Sequence, residues 1–260
     1  MAIAPTLGSW QNFNHWWHAQ SVEGNTESFK SLFTDHPLFT TAMGMNKSIT
    51  GVIDLHAMKY LYWSGNVIEL SGWEDNLFWE GGLQFTYSKF HTDDLLSFEY
   101  FGQLIFSYYK LLPEEQKTLY KGYWDFRMFR KDGYCIRILQ QDCVLKHDAE
   151  GNPAMLLILV TDITQLKADN KSHLRMTNGI DYQLHEYNTI DKKLYKLDNP
   201  SERELAVFRH ISQGYQRRQI ADKLGITLAT VKTHCQHVYE KLRTNDSVET
   251  INLLKIWGLL

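Results

Sequence analysis

"QRRQIADKLGITLATVKTHCQHVYEKL", residues 216–242, holds two helical patterns separated by a glycine. In the second pattern Val231, Cys235, Val238 and Leu242 recur at three- and four-residue steps and fall on one narrow stripe of a helical wheel. Lys232, Thr233 and Gln236 fall on the opposite side, in the first half of the helix. Gly225 is a natural left-handed stop for the first helix, and Thr227 can cap the second. Two short helices joined by a tight glycine turn form the helix-turn-helix arrangement.

The outward residues have the chemistry of base readers. Lysine pairs with guanine O6/N7, glutamine with adenine N6/N7, and a threonine methyl meets a thymine methyl. Arg217 and Arg218 open the first helix, where cations and free backbone amides together hold a phosphate. A solvated surface helix would show similar polarity, so spacing alone leaves DNA binding and a plain exposed face both open.

Around this pair the helical pattern continues. Upstream, "NPSERELAVFRHISQG" opens on a Ser201–Glu204 capping box and closes at Gly214. Downstream, Asp246 and Glu249 offer a second box for "SVETINLLKIWGLL", which is apolar on two sides. One side can pack on the preceding helices. Val248, Ile251 and Leu254 are expected on the other, as a two-fold interface, with packing on the same chain as the alternative.

The segment "PSERELAVFRHISQGYQRRQIADKLGITLATVKTHCQHVYEKL" resembles the LuxR/GerE family of four-helix DNA-binding domains over roughly residues 197–260. The resemblance implies a transcription factor that binds double-stranded DNA as a homodimer and can contact RNA polymerase. It implies base contacts from Lys232, Thr233 and Gln236, and backbone contacts from Arg218, Thr227, Thr230 and Lys241. The sequence departs from the family at Gln216, Gln219 and Ser247, which bears on the cap and ion pairing of the first of the two helices.

Residues 49–164 read as an α+β unit. "ITGVID" and "KYLYWS" are strand-like, helical segments follow, and then come "YWDFRMF", "YCIRILQQDCVLK" and "AMLLILVTDI", separated by the turn-rich "RKDG" and "HDAEGNP". This order gives one antiparallel sheet with helices on one face. The pieces "VID", "ELSGW", "FHTDD", "RKDG", "DAEGNP" and "TDIT" together resemble a PAS domain. That resemblance implies a sensor or dimerisation module and allows haem, flavin or a small metabolite without selecting one; the cofactor stays unknown. His91 is the axial-ligand candidate in that pattern, with a helix-start role as the stronger reading. Asp93 and Asp94 in a first helical turn are dipole partners. No nucleophile or cofactor motif converges on them, so the chain is read as non-enzymatic.

The expected layout is a helical extension over 1–48, a PAS-like domain over 49–164, a polar linker with a helical first half over 165–197, and the helix-turn-helix domain over 198–260. Trp10, Phe13, Trp16 and Trp17 give the extension helical spacing, whereas His15 and His18 lack a third partner for a metal. The formal net charge of the 260 residues is −3, yet residues 197–260 hold nine Lys+Arg against seven Asp+Glu, the sign expected for a polyanion partner. Cys135, Cys143 and Cys235 form no metal spacing or disulfide framework. The run "AMLLILV" is too short to span a bilayer, and no secretory leader is evident at the N-terminus, so a cytoplasmic location is expected. An acyl-homoserine-lactone receptor would share the C-terminal half, but its ligand-binding pattern cannot be placed on 49–164. A phosphorylated receiver would need alternating βα units, which this half lacks.

Overall fold

The computed structural model describes residues 48–63 and 67–260; the helical extension expected over 1–48 lies, but for Ser48, outside the described residues. Among the described residues, eight strands form a single antiparallel sheet in the order β2-β1-β5-β4-β3-β6-β7-β8. β1 (Ile49–Asp54), β2 (Lys59–Trp63), β3 (Lys121–Phe129), β4 (Cys135–His147) and β5 (Pro153–Asp162) coincide with the five runs expected from the sequence. Gly133 and Gly151 take positive φ in the "RKDG" and "HDAEGNP" turns, so β3–β4 and β4–β5 pair as hairpins. Between β2 and β3 lie α1 (Val67–Ser71), α2 (Asp75–Tyr87), a 3-10 turn (Thr92–Asp94), α3 (Leu95–Lys110) and the short α4 (Glu114–Lys117).

α2 has a glycine pair in its middle, and that weakens the helical signal in the sequence. Gly82 sits at φ +57°, where the Leu83 amide donates to the Met58 carbonyl at 3.0 Å. A Cβ at Gly82 would lie 2.4 Å from that carbonyl, so the close approach of backbone to backbone requires glycine.

The segment expected to be a linker is instead structural. Residues 171–197 add three strands to the sheet: β6 (Lys171–Thr177), β7 (Tyr182–Asn188) and β8 (Lys193–Leu197). β6 pairs with the outer edge of β3, Trp124 opposite Leu174. The correction has a clear physical reason. β6 and β7 are largely buried on both faces, and one face carries the charged residues His173 and Glu186, which face each other at 3.6 Å rather than solvent. Leu174, Met176 and Tyr187 join the first core, beneath α1 to α3. On the opposite face Leu184 and Leu197 join a second core with the C-terminal helices, beside the buried His173 and Glu186. A hydropathy pattern cannot tell such a strand from a polar linker.

The C-terminal helices are α5 (Glu202–Ser212), α6 (Arg217–Leu224), α7 (Leu228–Leu242) and α8 (Ser247–Ile256). They pack on the outer face of the sheet, so the sheet lies between two helical layers. Leu139, Ile163, Leu184 and Leu197 meet Leu253, Leu254, Ile256 and Trp257 in one continuous cluster. Arg175 is held between Tyr123 and Tyr182 while it donates to the Trp257 carbonyl at 2.8 Å. The expected "DIT" terminus is also structural: Thr164 Oγ1 donates to Asp162 and accepts the Arg137 amide at 2.9 Å, which closes β5 against β4. Lys167 is buried and bonds Asp125 at 3.0 Å and Asp169 at 2.8 Å, fixing the crossing from β5 to β6. Among the described residues, no helix is long and apolar enough to cross a membrane.

Candidate nucleic-acid interface and sensor cavity

Each C-terminal helix is bounded by its own sequence. Ser201 accepts from the Glu204 amide and Glu204 accepts from the Ser201 amide at 2.7 Å, the reciprocal box that starts α5. Gln219 accepts from the Gln216 amide at 2.8 Å, so an amide side chain serves at the start of α6 where the family uses Glu. Gly225 ends α6 at φ +63°. Thr227 caps α7 by accepting the Thr230 amide at 3.1 Å. Asp246 accepts from the Val248 and Glu249 amides at 2.8 and 2.9 Å to start α8, while Glu249 turns to the Asn245 amide at 2.7 Å.

α7 is amphipathic in the expected sense. Val231, Cys235, Val238 and Leu242 are buried in the helical core. Lys232, Thr233 and Gln236 are exposed on the other side. Thr233 donates to the Ala229 carbonyl at 3.1 Å, and Gln236 donates to Glu240 at 2.8 Å, both surface bonds that water or a base edge can replace. Arg217 and Arg218 are exposed at the start of α6, and Thr227 is exposed beside the half-buried Thr230 at the start of α7. Burial pushes the Cys235 thiol up, an effect opposed by the neighbouring Arg217, whose guanidinium lies against α7. These groups all lie on α6 and α7 or at their starts.

Lys241 stands apart. Its ammonium bonds Glu204 at 2.7 Å, and that carboxylate is nearly buried. Burial raises Glu204, but Lys241 and the Ser201 contacts more than offset it and hold the carboxyl below its ordinary value. Lys241 therefore ties α5 to α7, a role that the sequence reading missed; the acidic cap at Glu204 was the available signal.

The expected two-fold face of α8 is divided. Val248 is 66% exposed and Ile251 is half-buried, but Leu254 is fully buried in the chain's own core. Leu254 is thus corrected from interface residue to core residue, because it is buried in the cluster that α8 shares with the preceding helices and the sheet.

In the N-terminal half a cavity of about 90 Å³ lies between the sheet and α2 and α3. Its walls include Tyr60, Tyr87, Phe90, Phe98 and Trp124, with Thr86, Gln140 and Asp142 as polar members. Tyr60 and Thr86 share a hydroxyl–hydroxyl bond of 2.6 Å, and Trp124 Nε1 donates to Asp142 at 3.1 Å. Burial pushes Asp142 up to about 7, with the Trp124 and Tyr120 contacts opposing. Burial also raises Glu99 to about 7, behind the wall, where it accepts from the Tyr87 hydroxyl at 3.1 Å. His91 is not among the cavity-lining residues: its Nδ1 accepts the Asp93 amide at 3.3 Å, and its ring stacks on Phe129. Asp94 is buried and pairs bidentately with Arg127, the closest contact 2.6 Å.

Residues 199–254 match the family model "GerE: Bacterial regulatory proteins, luxR family". Among curated relatives, the Fimbriae Z protein of Escherichia coli (strain K12) is 35% identical over 60 residues, 23% of this chain and 29% of that protein. The chain thus spans less than a third of the length of that relative. Two solved structures are similar at low identity. One is a PAS domain from Colwellia psychrerythraea, 17% identical with a TM-score of 0.37, covering 49% of this chain and 96% of that one. The other is a Vibrio cholerae VqmA dimer, 14% identical with a TM-score of 0.33, covering 91% of this chain and 89% of that one. The sequence match and the four capped helices agree: the C-terminal segment of this chain is a helix-turn-helix domain of the bacterial luxR family.

Proposed function

We propose that this chain is a cytoplasmic transcriptional regulator in which a PAS-like sensor half controls a luxR-type DNA-binding domain. The observation that carries the reading is the two-sided character of α7: a stripe buried in the domain, and Lys232, Thr233 and Gln236 exposed on the other side. An exposed first half of such a helix, with cations at the start of α6, suits entry into a major groove. Arg217, Arg218, Thr227 and Thr230 hold phosphates on either side of the reading helix. The protein acts as a homodimer on two half-sites, and contact with RNA polymerase follows from bound dimers. Val248 and Ile251 are the part of α8 that remains available to a second copy.

The cavity is the site of the signal. At about 90 Å³ it is far below the roughly 300–1,000 Å³ of pockets for drug-sized molecules, which points to a small ligand. Its mostly apolar lining takes an apolar body, and Gln140 and Asp142 take one or two polar groups. The test is selection of duplexes from a random pool by the full chain, followed by affinity at several salt concentrations. A recovered motif, bound more tightly than random duplex and with affinity falling as salt rises, supports the reading. Recovery of no motif, with salt-independent binding, contradicts it.

A further inference from the structure

The residue that ends the reading helix is pinned by all three added strands. Arg243 caps α7 in the left-handed region, φ +55°. From β6, Lys171 Nζ donates to the Arg243 carbonyl at 2.5 Å. From β7, Glu186 accepts the Arg243 guanidinium at 3.0 Å, and from β8 the Tyr195 ring lies 3.8 Å beneath it. Glu186 is fully buried and also faces Lys171 at 3.5 Å and His173 at 3.6 Å. A carboxylate buried this deeply is tolerable only while its cations stay in place, so the contact resists small displacements.

The same end of these strands is also tied to the cavity wall. α3 supplies Phe98, Gly102 and Ile105 to the cavity wall. Its first turn is anchored by Asp94, which is fully buried and bonded to Arg127 on β3. Arg127 also reaches Asn170 at 3.3 Å, and Asn170 immediately precedes Lys171. The Asn170 carbonyl in turn accepts the Thr189 amide and hydroxyl at the end of β7. The contacts therefore run without a gap from the helix that walls the cavity to the last residue of the helix that faces outward.

We propose that Arg243 is a positioning residue, through which a ligand-driven shift of α3 changes the orientation of α7 by way of Asp94, Arg127, Asn170, Lys171 and the Glu186 carboxylate that Lys171 and the Arg243 guanidinium share. This deepens the regulatory reading above and rests on it for its purpose, although the coupling itself is independent of DNA. Contact continuity is only a geometric warrant; a measured coupling between the two ends is the physical one.

The test is hydrogen exchange on the full chain without DNA, comparing wild type, Asn170→Ala, Arg243→Asn and the double variant. Asn170 is exposed, so its truncation leaves the fold intact, and asparagine tolerates the left-handed cap at 243. Asn170→Ala is expected to speed exchange in the last turns of α7 by about two- to thirtyfold, the span of couplings seen between distant sites. Reciprocally, Arg243→Asn is expected to speed exchange in the first turn of α3, which a purely local role at the end of α7 would not touch. The double variant should match the larger single effect. Unchanged exchange at α7 in Asn170→Ala, unchanged exchange at α3 in Arg243→Asn, or simple multiplication of the two effects would each overturn the coupling. Failure of the wild-type chain to bind any duplex would instead overturn the DNA reading and leave this result standing.

Discussion

Lys241 on α7 donates to Glu204 on α5 at 2.7 Å, and the carboxylate that it meets is the same one that caps the start of α5. One side chain thus serves a helix terminus and an interhelical tie at once. Lys241→Ala leaves a nearly buried carboxylate short of its cation. We expect a loss of about 1–3 kcal/mol in stability of the C-terminal helices, read by chemical denaturation. Affinity for a selected duplex, measured well below the transition, should stay within about twofold, since the ammonium is not on the outward face. A large affinity loss at unchanged stability would return Lys241 to the DNA backbone.

Helix α8 gives a contrast within ten residues. Leu254 is fully buried and Val248 is 66% exposed. Leu254→Ala is expected to cost about 2–5 kcal/mol through an internal cavity, whatever the protein concentration. Val248→Ala should change stability by less than about 0.5 kcal/mol. If dimerisation uses the open part of α8, Val248→Glu should weaken self-association in sedimentation experiments while leaving unfolding unchanged. A concentration-dependent effect of Leu254→Ala would mean that α8 leaves the sheet to pair with a second copy.

The cavity carboxyl has a pH signature. Burial lifts Asp142 to about 7 in the folded chain, whereas the unfolded chain titrates in the ordinary carboxylate range. The folded state therefore holds a proton that the unfolded state has released, and stability falls as pH rises through this window. The contribution is complete below about pH 4 and gone above about pH 7, with a slope of at most about 1.4 kcal/mol per pH unit. Asp142→Asn should remove this component, read as the difference from wild type in denaturation midpoints across the window. Glu99, also raised to about 7, keeps its own slope of the same sign in both chains. His185, lowered by burial to about 4, contributes the opposite sign and cancels in the comparison. An identical slope in the variant would place Asp142 in contact with water.

Much of this architecture was legible in the sequence because its signals are local. Capping residues at 201, 227 and 246, stops at Gly214 and Gly225, and the stripe from Val231 to Leu242 locate the four helices without tertiary information. The hairpin turns at Gly133 and Gly151 did the same for β3 to β5. What escaped was set by packing between distant segments. β6 to β8 carry His173, Glu186 and Lys171, which look solvated in one dimension and are paired within the docked surfaces in three. α2 was hidden by a glycine that exists to admit the Met58 carbonyl. Lys241 was assigned to the DNA backbone by resemblance, which carries no account of its partner Glu204, and Leu254 was assigned outward because an apolar pattern shows which side a residue is on, and not what covers that side.

The face of α7 is tested most directly by repeating the duplex selection with Lys232→Ala and Gln236→Ala in the full chain. Loss of preference at one base-pair position for each variant is expected, with about 1–3 kcal/mol lost on the wild-type motif and little change on random duplex. Equal weakening on every duplex, with the selected motif unchanged, would contradict base reading by this helix.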